Sequence, residues 1–162
     1  MISNEKSVRL ATRLLRVIER NPNTHPALNV IKDGIAERAG SFIKASEKWN
    51  TAMKLRVKER NEGLNAMNEF TATLRSYIPM IANSYPFLNI SITNLIGTTP
   101  DDTLNFTDAI MEQIQAQPDF STNTIANEFI NNISPVWQNA MKEWAEYENS
   151  DSELRTASEN MN

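Results

Sequence analysis

No cysteine occurs in the 162 residues, which excludes disulfides, thiolate metal centres, iron-sulfur clusters and cysteine nucleophiles together. Histidine is nearly as scarce. His25 is the single one, set between Pro22 and Pro26, so it reads as a turn residue and not as a catalytic base or ligand. The Glu-x-x-His pairs of di-iron bundles and the His-Glu-x-x-His of zincins are accordingly absent. With four glycines there is no Gly-rich phosphate loop, and zinc-finger, homeodomain and RNP patterns are also missing. We expect no catalytic set, no cofactor and no metal site, hence a protein that is not an enzyme.

Long hydrophobic runs are lacking too. Glu5, Arg9, Arg13 and Arg16 interrupt the apolar residues near Met1, unlike a signal peptide. Ser76 to Pro100 holds no charge, yet Pro79, Pro86 and three asparagines interrupt it, which suits a spanning helix poorly. The expected address is cytoplasmic or intravirion, without signal peptide or transmembrane helix.

What the chain does have is helical periodicity. Val8, Ala11, Leu15 and Ile18 form one apolar line from about 3 to 20, with Leu10, Leu14 and Val17 beside it. Arg9, Arg13, Arg16 and Arg20 fall on the opposite face. A second pattern spans 27–78, with Leu28, Ile35, Phe42 and Trp49 at seven-residue spacing and Ile31, Ala39, Ala45 and Met53 alongside. Such a repeat predicts a seam against which another helix packs. Charges around Lys54 to Gly63 interrupt it, so a bend near Asn61 to Gly63 or a hairpin is expected. Leu88, Ile90 and Ile92 alternate with polar residues, as a short strand would. Thr99-Pro100-Asp101-Asp102 reads as a capped helix start, opening a helix over 100–116. Ser121 or Thr122 can cap a fourth over 121–148, which Pro135 should kink or split.

These segments predict an all-α helical bundle of about four helices, with one long second helix, continuous or bent, and an irregular, charge-free connector. One domain over 1–149 is expected, followed by a flexible polar tail over 150–162.

Charge is divided unevenly. Residues 1–80 hold fourteen Lys/Arg against eight Asp/Glu, a net +6; residues 81–162 hold two against twelve, a net −10. Basic helices beside acidic ones within one bundle would account for this, as would contact between copies or with a polyanion. Asp108 with Glu112, and Glu143 with Glu146, share helix faces and read as solvated acidic surface.

The favoured function is therefore structural or interactive: self-assembly or binding of a protein partner through long helices. Phe42, Trp49, Phe70, Trp137 and Trp144 are the candidate interface or core aromatics. Two alternatives stand beside it. The segment 76–100 could leave a soluble bundle and insert into a membrane, or Arg9, Arg13, Arg16 and Arg20 of the basic half could contact nucleic acid.

Overall fold

The computed structural model describes residues 4–21, 26–91 and 99–160. Among the described residues the α-helices are α1 (Asn4–Arg20), α2 (Pro26–Ser84), α3 (Pro100–Gln115) and α4 (Thr124–Glu159), with 3-10 turns at Pro86–Leu88 and Phe120–Thr122. No strand occurs among the described residues, and the protein is an all-α helical bundle. Pro22 to His25, and Ile92, Thr93 and Gly97 of the connector, lie outside the described residues.

Two compact units divide the chain. Unit 1 is Met1–Arg56 with Ser150–Asn162, and unit 2 is Val57–Asn149. The end of α4 thus belongs with the first half of α2 in unit 1. Segment 150–159 is helical, although few apolar residues mark it. Arg56 pairs with Asp151, Arg155 approaches Asp151 one turn away, and Leu154 is half-buried.

Unit 2 holds the core. Phe70, Leu74, Ile78 and Ile81 recur at three- and four-residue spacing on α2 and, with Tyr85 just past its end, meet Leu104, Met111 and Ile114 of α3 and Phe129 and Ile133 of α4. Tyr77 lies edge-on to Phe129, with ring centroids 5.9 Å apart. Two prolines sit inside these helices, Pro79 in α2 and Pro135 in α4. Both occupy exposed positions, so the carbonyl that each deprives of an amide partner can turn to water while the buried neighbours keep the helix in register. That is why α2 runs to Ser84 and α4 passes 135 without the expected split. Helix α2 is continuous through Asn61 to Gly63, so no hairpin forms there.

The ends of these helices follow local chemistry. Thr99 and Asp102 form a reciprocal capping box at 3.2 Å with Pro100 in the first turn, as the sequence predicts. At α4 the cap is Asn123, not Ser121 or Thr122: its Oδ1 accepts from the Ala126 amide at 3.1 Å. Asn123 also donates to the Tyr85 hydroxyl at 3.1 Å, so the cap is chosen by a tertiary partner. The apolar alternation near 88–90 makes no strand. Asn89 takes a left-handed conformation (φ 48°) after the 3-10 turn and Ile90 enters the core.

Glycine in α2 shows where packing overrides propensity. A Cβ at Gly34 or Gly40 would meet nothing within 4 Å, whereas one at Gly63 would lie 3.2 Å from the Glu143 carbonyl oxygen on α4. Gly34→Ala and Gly40→Ala should each raise stability by about 0.5–1 kcal/mol, the usual helix-propensity gain. Gly63→Ala should show no gain, because backbone must shift to admit the methyl. Urea unfolding of the three variants checks this; a comparable gain at Gly63 would contradict the close approach.

Candidate functional site

Two places in the described residues combine chemistry with access, one in each unit. The first is a carboxylate cluster in unit 2. Glu59 and Glu62 stand three residues apart on α2 and Glu143 on α4, and one oxygen of each lies within 4.8 Å of the others. Lys58 Nζ donates to Glu59 Oε1 at 3.0 Å and to Glu62 Oε2 at 2.8 Å. Lys142 Nζ donates to Glu143 Oε1 at 2.9 Å and approaches Glu146. Hydrogen bonds to Glu62 and Glu59 push the Lys58 ammonium well above the ordinary lysine range, and the hydrogen bond to Glu143 pushes Lys142 upward.

Three carboxylates at this spacing are the ligand type a hard divalent cation takes. Here two ammonium groups already supply compensating charge. Glu59 is buried, and its Oε2 has no hydrogen-bond partner, as is true of the Trp144 indole N–H. A bare buried carboxylate oxygen costs stability, and replacing such a group with an apolar one of similar length is commonly neutral or favourable. Glu59→Met should therefore leave thermal stability unchanged or raise it by up to about 1 kcal/mol. A loss of more than that would mean that the carboxylate holds a stabilising partner such as a cation.

The second place is an apolar groove of about 370 Å³ in unit 1, formed by Leu10, Ala11 and Leu14 of α1 with Ile35, Ala39 and Phe42 of α2. Arg38 and Ser7 border it. Unit 1 has little core of its own. Among the described residues Ala39 is the one apolar side chain of this unit that is buried. Large apolar side chains instead face solvent, with Leu10 63%, Val17 57% and Ile31 58% exposed. Lys32 reaches the Asn21 carbonyl and so links the end of α1 to α2.

The sequence-predicted aromatics separate along the same boundary. Phe70 is fully buried, and Trp137 and Trp144 pack on the same unit 2 core; Trp137 Nε1 donates to the Leu104 carbonyl at 3.0 Å. These three serve packing. Phe42 lines the apolar groove, and Trp49 lines a neighbouring cleft with Val8 and Ile43. Arg9, Arg13, Arg16 and Arg20 are all exposed on α1, Arg9 being paired with Glu5. His25 lies outside the described residues. Sequence reasoning did not single out Leu10, Leu14 and Ile35 as site residues, although their helical spacing was visible; periodicity marks an apolar face without telling whether anything covers it.

No helix among the described residues is long and apolar enough to cross a membrane. Compared with known proteins, the chain matches no protein-family model, no curated protein and no solved structure.

Proposed function

We propose that this is a non-enzymatic interaction protein, in which unit 2 is the self-sufficient scaffold and unit 1 presents an apolar face to a protein partner. The observation that carries this reading is the open groove lined by Leu10, Leu14 and Ile35, with Val17 and Ile31 exposed as well, on a unit in which Ala39 is the one buried apolar side chain among the described residues and the others are half-buried or exposed. A helix must cover its apolar stripe to be stable, and a contiguous exposed patch of this kind is what interaction surfaces offer. The seven-residue seam of α2 is the pattern that receives another helix. Ile35, Phe42 and Trp49 of that seam keep partial solvent exposure.

The charge-free segment speaks for burial more than for insertion, because Ile78, Ile81, Tyr85 and Ile90 are core residues of unit 2. The arginine stripe fits the same account as the polar border of the docking face.

Binding of an environment-sensitive apolar dye to dilute protein tests the reading. The wild type should bind dye with a strong rise in emission, and the double variant Leu14→Asp, Ile35→Asp should lose it while circular dichroism retains the helices. An absence of dye binding to the wild type, or binding that the double variant keeps in full, would overturn the proposal.

A further inference from the structure

Resting on that reading, we infer that the occupant of the unit 1 groove is helix α3 of a second copy of this chain, seated through Phe106. The seam on α2 calls for a helix, and the chemistry around the groove says which kind. On α1, Lys6 stands four residues before Leu10, Arg13 three after it, and Arg20 three after Val17, so cations flank the apolar line at contact spacing. Arg38 joins the border from α2. Unit 1 as a whole holds twelve Lys/Arg against eight Asp/Glu, a net +4. The matching surface is an apolar anchor on an acidic helix.

Helix α3 is that surface. It carries Asp101, Asp102, Asp108 and Glu112 and no basic residue, within a unit of four Lys/Arg and twelve Asp/Glu, a net −8. Its inner face is committed to the core through Leu104, Met111 and Ile114. On the outer face Phe106 is 50% exposed, with Asp102 one turn before it and Ala109 and Gln113 following at helical spacing. A large aromatic side chain on a carboxylate-rich helix is the anchor that an apolar groove with a cationic border accepts.

The symmetric alternative, groove against groove about a two-fold axis, would bring Lys6, Arg13 and Arg38 against their own copies. The contact is therefore heterologous: each copy offers one groove and one α3. This makes a specific prediction for mixtures. A groove variant (Leu14→Asp, Ile35→Asp) keeps a working α3, and Phe106→Asp keeps a working groove. All three substitutions are at exposed positions, so folding should persist.

Sedimentation velocity across micromolar concentrations provides the test. Wild-type protein should gain mass with concentration and lose it as salt is raised from about 0.05 to 0.5 M, where screening shortens to a few ångströms. Each variant alone should associate at least about tenfold more weakly, the usual cost of losing a central anchor. An equimolar mixture of the two variants should stop at a heterodimer, joined by the one intact groove and the one intact α3. A wild type that stays monomeric at every concentration overturns the inference. So does association that survives Phe106→Asp but not the groove variant, with no gain on mixing. Either result leaves the docking face itself standing if the dye still binds, whereas loss of dye binding removes both.

Discussion

Replacing Phe70 with alanine should cost about 3–5 kcal/mol, the range for deleting a buried phenyl ring. The side chain is fully buried at the centre of unit 2, among Leu74, Phe129 and Ile133. The loss combines the transfer free energy of the ring with the cavity it leaves, since neighbouring helices close such a space only in part. For a unit of this size the melting midpoint should fall on the order of 15 °C. Phe42, an aromatic residue on the same helix and with the same sequence-level credentials, should behave differently. It lines an open groove, so Phe42→Ala should cost less than half as much in stability. Equal losses at the two positions would contradict the division between a packed unit 2 and an open unit 1. Differential scanning calorimetry of both variants makes the comparison.

Trp137→Ala is expected to lower stability by about 2–3 kcal/mol, below the full range for a buried tryptophan because the residue is only partly buried. Trp137→Phe should separate the two contributions. The phenyl ring keeps most of the packing against α3, while the hydrogen bond from Nε1 to the Leu104 carbonyl at 3.0 Å disappears. That bond contributes roughly 1 kcal/mol net, so Trp137→Phe should lie near that value. If both variants lost the same amount, the indole would act through its hydrogen bond alone and the packing would be inconsequential. Urea denaturation at fixed pH distinguishes the cases.

Much of the architecture is legible in the sequence. The amphipathic pattern located α1, and Thr99 to Asp102 contained the whole start of α3. What sequence could not supply were choices made by tertiary contact. Asn123 displaced Ser121 and Thr122 as the cap of α4 because Tyr85 holds its side chain. Pro79 and Pro135 failed to end their helices because buried residues on both sides keep the helices packed. The polar run after Asn149 continued as helix because it gains Arg56 as an ion-pair partner from α2. The site was less legible still. Phe42 and Phe70 both lie on the apolar pattern of α2, yet one borders an open groove and the other fills a core. The difference is set by whether other helices of the same unit supply a covering surface, which no window of local sequence contains.

Native-state hydrogen exchange of dilute protein, read amide by amide, tests most directly whether unit 1 depends on a partner. A helix of 17 residues whose apolar side chains are at most half-buried is marginal by itself, and local opening should be frequent where burial is sparse. The account predicts weak protection in α1 and in residues 30–42 of α2, strong protection around Phe70 and Phe129, and a rise in α1 protection at concentrations where copies associate. Protection of α1 equal to that of the unit 2 core in dilute protein would contradict it, since unit 1 would then need nothing to cover its apolar face.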